Sequence, residues 1–273
     1  MKFADLHIHS NFSDSSYSLK EILEKAKEKN LSCISVVDHD SLDAYYSGEL
    51  FRLSREYSLE LIMGLELSSQ YRDEEIHLLG YFRDNKVDLN FLKTLKNLKE
   101  DRLRRILKMI DILNSLGIKL DKTEFKEFVG SSSASRLHLA IFLKEKGIVK
   151  DIGEAFSKYI GVGRPAYISR FRYSLEEAIR FLKKEGALVF LAHPLTLREQ
   201  KNLEDFIRLG LDGIEVFYPN YSEETRANYQ RLASKYSLLI SGGSDSHGEY
   251  KERTEIGSVK ISYSYVEKIK NAF

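Results

Sequence analysis

Six of the chain's seven histidines stand at or just past the ends of short apolar runs with strand character. The first two form a His-x-His pair in Phe3-Ala4-Asp5-Leu6-His7-Ile8-His9-Ser10. Alternate residues of a strand share a face, so His7 and His9 point the same way. Two neutral imidazoles side by side make half of a metal site. The others lie in Val37-Asp38-His39-Asp40, Ile76-His77-Leu78, Ala192-His193-Pro194 and Ser244-Asp245-Ser246-His247. One such histidine is more often a hydrogen-bonded core or surface residue. Six in the same context predict a metal site assembled from many strands, and the fold must bring those strand ends together.

Apolar runs at 2–8, 31–37, 59–67 and 75–82 are separated by helical patterns near 18–29 and 42–56. Ser18 with Glu21 reads as a capping box for the first helix. The alternation resumes after about residue 167. Helices near 174–185, 202–209 and 222–236 precede apolar runs at 187–192, 212–217 and 238–241. Repeated βα units predict an α/β fold with a largely parallel sheet, and about seven strands favour a closed TIM-like barrel. The fallback, a doubly wound open sheet, lacks its glycine-rich dinucleotide fingerprint. Residues 86–166 read instead as helices, over 89–116, 122–129, 136–146 and 151–160. The expected organisation is a barrel domain of residues 1–85 and 167–273 with a helical insertion, 86–166. Lys99, Arg102, Arg104, Arg105 and Lys108 on the long helix read as a solvated face. The lesser alternative is that Arg102, Arg104 or Arg105 meets an anionic substrate.

In βα barrels, functional side chains gather at the C-terminal strand ends, where this pattern puts His7, His9, His39, Glu66, His77, His193, Asp245 and His247. Asp14 follows the first strand as either a helix cap or a further ligand. Glu66 ends Ile62-Met63-Gly64-Leu65-Glu66, where a carboxylate is costly to bury unless paired or metal-bound. Six imidazoles and three carboxylates exceed the four ligands of one tetrahedral zinc. They suffice for two or three divalent ions if Glu66 bridges, and mixed nitrogen and oxygen ligation suits manganese, iron or zinc. Clustered divalent ions are suited to hydrolysing phosphate esters. With no serine in a nucleophile-elbow sequence and no cysteine in the motifs, metal-activated water is the economical nucleophile. Glu215, interrupting the apolar run Ile214–Val216, is expected to face inward and support a ligand. Asp38 and Asp40 are expected to shape the loop around His39. Tyr81, Phe82 and Tyr218 read as packing residues rather than base-stacking ones.

Composition narrows the class. Forty-two basic and 41 acidic residues nearly cancel, which argues against a protein that coats nucleic acid while leaving room for a local basic groove. No apolar run approaches the roughly 20 residues that span a bilayer. The single cysteine, Cys33, excludes an internal disulfide. A cytoplasmic setting without membrane contact is the expectation.

Taken together, Asp5–Ser10, Val37–Asp40, Gly64–Glu66, Ile76–Tyr81, Ala192–Pro194 and Ser244–His247 resemble, in order and spacing, the motifs of the PHP (polymerase and histidinol phosphatase) family. The resemblance implies a distorted (β/α)7 barrel with a trinuclear metal centre. Carried over by position, His7, His9, Glu66 and Asp245 would hold one ion. Glu66, His77 and His193 would hold a second, and Asp14, His39 and His247 a third. Ser135-Arg136-Leu137-His138-Leu139-Ala140 and Tyr159–Tyr167 resemble segments of small stand-alone members. These include 3′,5′-nucleoside bisphosphate phosphatases and 5′-to-3′ exoribonucleases on short RNA, in which the insertion caps the site. The chain departs from that branch at Ser135, Leu137 and Arg164. Arg136 and His138 become the candidate phosphate-binding residues, with helix packing an equal alternative.

The expected function is therefore a metal-dependent phosphoesterase acting on a nucleotide or short oligonucleotide and releasing phosphate, with no obligate protein partner. The alternatives are a histidinol-phosphate phosphatase, an amidohydrolase and a metal-stabilised binding module. The insertion disfavours the first, and the Glu66/His77 and Asp245/His247 pairs disfavour the second.

Overall fold

A computed structural model of the chain describes residues 1–169 and 173–273. The N-terminal run forms β1 (Phe3–Ile8), which pairs in parallel with β2 (Cys33–Val36), and β2 pairs in parallel with β3 (Glu60–Leu61). Between β1 and β2 runs α1 (Leu19–Glu28), started by the Ser18–Glu21 capping box. Its Leu19, Ile22, Leu23 and Ala26, at helical spacing, are buried in the core. The 42–56 pattern is two helices, α2 (Asp43–Tyr46) and α3 (Glu49–Glu56). Gly48, at φ +76°, breaks them apart in a conformation that costs other residues more.

A second sheet contains β4 (Met63–Tyr71), β5 (Glu74–Phe82), β6 (Ala187–Leu191), β7 (Gly213–Phe217) and β8 (Leu239–Gly242), in that order. A short β9 (Ile261–Ser262) runs antiparallel to β1 and completes the first sheet. Two expectations need correction. The second sheet is mixed, because β5 runs antiparallel to both β4 and β6. Among the described residues the strands also form two sheets and not one closed hydrogen-bonded barrel. Among the described residues, the two sheets meet at single parallel bridges, Ile8↔Ser246 and His39↔Glu66. Register shifts occur beside these seams, between Asp5 and Ile8 in β1 and between Glu215 and Phe217 in β7. Such irregularities re-aim side chains at the expense of ladder continuity.

Between β5 and β6 the chain first forms α4 (Leu89–Ser115), whose Asp88 cap accepts a hydrogen bond from the Asn90 amide at 2.7 Å. Phe91, Leu95 and Leu98 pack into the main core, while Ile106, Met109, Ile110 and Leu113 join a separate apolar cluster. That cluster includes residues of α5 (Lys122–Val129), α6 (Arg136–Glu145), α7 (Ile152–Ala155) and a π-helical turn, Phe156–Ile160. One helix, α4, thus contributes to both apolar clusters. The helices α8 (Leu175–Lys184), α9 (Leu203–Arg208) and α10 (Glu223–Lys235) alternate with β6, β7 and β8. A final helix, α11 (Tyr263–Asn271), packs Val266 and Ile269 into a third cluster with Leu6, Cys33, Tyr81 and Phe190. No helix among the described residues is long and apolar enough to cross a membrane.

Candidate metal centre

Five of the expected ligands, His7, His9, His39, His77 and His193, face Glu66, which is 1 % exposed in mid-β4. One carboxylate oxygen, Oε1, lies 2.9 Å from His77 Nδ1 and 3.0 Å from His193 Nε2. The other, Oε2, lies 3.1 Å from His9 Nε2, 3.2 Å from His39 Nδ1 and 3.4 Å from His7 Nε2. A single carboxylate therefore faces two separate imidazole groups with its two oxygens.

Donor atoms within 4.8 Å of one another form three overlapping sets: His7, His9, Glu66 and Asp245; His9, Asp14, His39 and His247; and His39, Glu66 and His77. The first coincides with an expected set, and the second adds His9 to the expected Asp14, His39 and His247. In the third, His39 replaces His193, although His193 still meets Glu66 Oε1. His77 differs in how it arrives. It lies in the N-terminal half of β5, across the ladder from Ser68, not at a C-terminal strand end. The reversed direction of β5 brings its early residues to the end of the sheet where parallel strands finish.

Backbone conformation helps deliver these side chains. His193 (φ +30°), Asp245 (φ +50°) and Asp40 (φ +51°) all take left-handed conformations, which cost on the order of 1–3 kcal/mol each and persist where surrounding structure enforces them. Gly243 lets β8 pass close to β1: a Cβ there would lie 2.4 Å from the His7 amide nitrogen.

The imidazoles are also oriented from behind. His7 Nδ1 is 2.9 Å from Glu215 Oε1, His193 Nδ1 is 3.1 Å from Thr196 Oγ1, and His247 Nδ1 is 2.9 Å from the Asp245 carbonyl. Each contact leaves Nε2 turned toward the carboxylates, the arrangement that fixes tautomer and ring direction in metal sites. Glu215, fully buried, also accepts the His193 amide through Oε2 at 2.7 Å. Asp38 accepts the Ser10 amide at 2.8 Å and the Ser10 hydroxyl at 2.6 Å, holding the loop after β1.

Buried charges of both signs act on one another across the cluster. Burial opposes ionisation of Glu66, but the charges of His77, His39 and His7 outweigh it and hold its carboxyl well below the usual range. Burial likewise opposes protonation of His9 and His77. Asp245 and Glu66 nevertheless raise His9 to about 9, and Glu66 with Glu75 raises His77 to about 10. His247 is pushed down to about 4 by burial and by the charge of His9, and burial drives His39 well below its ordinary value. Even so, His7 Nε2, both ring nitrogens of His9, His39 Nδ1 and Asp14 Oδ1 are buried without a hydrogen-bond partner. Buried polar atoms are ordinarily satisfied. Divalent cations in place of the protons would satisfy this donor set.

The cluster floors a cleft of about 400 Å³, whose lining includes Glu75, Arg136, Arg198, Tyr218 and Lys251. The two substrate candidates part company here. Arg136 lines the cleft, 3.3 Å from Glu75 and with its guanidinium over the rings of Phe156 and Tyr167. His138 is buried and accepts the Ser135 amide at 3.2 Å, capping its own helix. The charge run on α4 is only partly a solvated face. Arg104 is exposed, whereas Arg102 is 5 % exposed, paired with Asp40, and donates to Ser68 Oγ at 2.7 Å. Glu75, Tyr218 and Lys251 line the cleft without a sequence signal for a site role. None belongs to a repeated local pattern, and Tyr218, beside the end of β7, reads from the sequence as packing.

The chain is similar in sequence and fold to known proteins. The PHP domain model matches residues 5–162. A 5′-3′ exoribonuclease of Haemophilus influenzae is 29 % identical over 89 % of each chain. A 3′,5′-nucleoside bisphosphate phosphatase of Chromobacterium violaceum is 28 % identical over 93 % of this chain and 90 % of that one. A Bifidobacterium adolescentis structure assigned as a metal-dependent phosphoesterase superposes with a TM-score of 0.87 at 27 % identity, covering 97 % of this chain and 94 % of that one. The chain belongs to the PHP family and is a hydrolase of phosphate esters.

Proposed function

We propose that the protein hydrolyses phosphate esters of nucleotides, as a 3′,5′-nucleoside bisphosphate phosphatase, a 5′-to-3′ exoribonuclease on short RNA, or both. In this reading His7, His9, Asp14, His39, Glu66, His77, His193, Asp245 and His247 hold two or three divalent ions, and residues 86–166 cap the cleft. The observation that carries it is the division of Glu66, with one oxygen facing His77 and His193 and the other facing His7, His9 and His39. Bound divalent ions would supply Lewis acidity toward the phosphoryl group and make a water acidic enough to attack it near neutral pH.

The remaining work falls to the chain. Glu215, Thr196 and the Asp245 carbonyl hold three imidazoles in one orientation, so that binding requires little rearrangement. Arg136, steadied by Glu75 and two aromatic rings, presents a planar donor that matches phosphate oxygens. The cleft volume falls within the range of small-molecule sites. The similarity to relatives named for nucleotide and RNA substrates favours those over histidinol phosphate.

A substrate panel on manganese-loaded protein tests the reading. Phosphate or mononucleotide release from nucleoside 3′,5′-bisphosphates or 5′-phosphorylated short RNA, faster than phosphate release from histidinol phosphate, is the expected result. No turnover on either nucleotide class, or a preference for histidinol phosphate, would overturn it.

A further inference from the structure

The wall of the cleft holds an ammonium group that none of the metal motifs contains. Asp245 divides its oxygens much as Glu66 does. Its Oδ1 turns inward, 3.4 Å from His7 Nε2 and 3.2 Å from His9 Nε2. Its Oδ2 turns outward, accepting a hydrogen bond from the Tyr218 hydroxyl at 2.6 Å and another from Lys251 Nζ. Lys251 Nζ also lies 3.3 Å from the Tyr218 oxygen and 5.7 Å from the centre of its ring. The side chain is nonetheless 39 % exposed. It lines the 400 Å³ cleft and the adjoining lobe of about 310 Å³ that reaches Asp14, Arg105 and Tyr250.

A site that gathers divalent cations gains nothing from a further positive charge on one of its ligands. An ammonium beside Asp245 repels incoming ions and gives up side-chain freedom to stay there. Its position becomes useful when an anion completes the site. The other basic groups on the cleft have carboxylate partners outside the proposed ligand set: Arg136 has Glu75, and Arg198 has Asp73. Lys251 alone of these three is paired with a proposed metal ligand, so ions drawing on Asp245 would weaken that pairing and leave its donors for substrate.

We propose that Lys251 is a substrate-contacting residue, binding a non-bridging oxygen of the phosphoryl group, and that Tyr218 positions it. The inference rests on the phosphoesterase reading and adds to it a phosphate contact outside the proposed metal ligands, in the same cleft as Arg136.

The test uses full-length, manganese-loaded protein and inorganic phosphate as the probe. Manganese per chain is measured by elemental analysis and phosphate affinity by calorimetry, alongside KM and kcat on the best substrate. Lys251→Met should keep the wild-type manganese content and bind phosphate roughly ten- to a hundredfold more weakly, the range for one charge-assisted hydrogen bond. Lys251→Arg should restore most of that affinity, and Tyr218→Phe should weaken it less than Lys251→Met. Unchanged phosphate affinity in Lys251→Met overturns the inference alone. So does loss of manganese from that variant, which would make Lys251 a structural counter-ion of Asp245. Wild-type protein that binds manganese but neither binds phosphate nor turns over any ester overturns the phosphoesterase reading and this inference with it.

Discussion

Replacing Glu66 with glutamine keeps the side chain's shape and removes the charge on which the cluster is centred. The imidazoles of His77 and His193 lie 2.9 and 3.0 Å from one oxygen, and those of His9, His39 and His7 lie 3.1 to 3.4 Å from the other. If two ions share this carboxylate, the loss should appear as lost metal-dependent stability. An ion at a hundredfold excess over its Kd stabilises the folded state by about 2.7 kcal/mol, so two contribute about 5 kcal/mol. An unfolding entropy of roughly 2.1 cal/mol/K per residue gives about 0.6 kcal/mol/K for 273 residues. The metal-induced rise in Tm should therefore shrink by about 9 °C in Glu66→Gln. Any ion on Asp14, His39 and His247 should remain in both proteins. Scanning calorimetry of chelator-stripped and manganese-loaded samples reads this directly, and elemental analysis should show two fewer ions per chain. Turnover should fall on the order of a thousandfold. A variant that keeps the wild-type metal-induced shift and manganese content would refute the bridging role.

The buried Arg102–Asp40 pair ties α4 to the loop bearing His39. Arg102→Met should cost about 3–5 kcal/mol in urea unfolding by removing the guanidinium that the buried Asp40 carboxylate faces. Asp40→Leu in that background should recover part of the loss, whereas a double variant as unstable as the summed singles would contradict the pairing. Metal-free protein should lose stability as pH rises from about 6.5 through 9 and 10, because His9 and His77 hold their protons more tightly folded than unfolded. Below about 6.5, the depressed His39 and His247 give the opposite slope. Melting temperatures of stripped protein should thus peak near neutrality, and a monotonic rise to pH 10 would contradict this.

Eight of the nine candidate ligands are legible because each sits in or beside a short apolar run that reveals a strand, whereas Asp14 lies in the loop after β1 and also reads as a helix cap. The pattern anticipates their gathering at one end of the strands, not which of them face Glu66. Nor does it anticipate the direction of β5. Its hairpin turns at Arg72, which takes φ +55° without the glycine or asparagine that usually marks such a turn. Arg102 looked like one more charge on a helix surface, since nothing local reveals that Asp40, 62 residues away, buries it. Lys251 and Glu75 carry no local signal for the same reason: their partners are set by tertiary contact. His138, read as an even choice between substrate contact and helix packing, caps its own helix because Ser135 begins α6 at that point.

A single titration tests the central claim most directly: release of phosphate from a nucleoside 3′,5′-bisphosphate, or of mononucleotide from 5′-phosphorylated short RNA, whichever is turned over faster, as manganese is added back to chelator-stripped protein. Activity should start near zero, rise with added metal and level off at two to three ions per chain. Full activity in the stripped protein, or none after reconstitution despite bound manganese, would contradict the account.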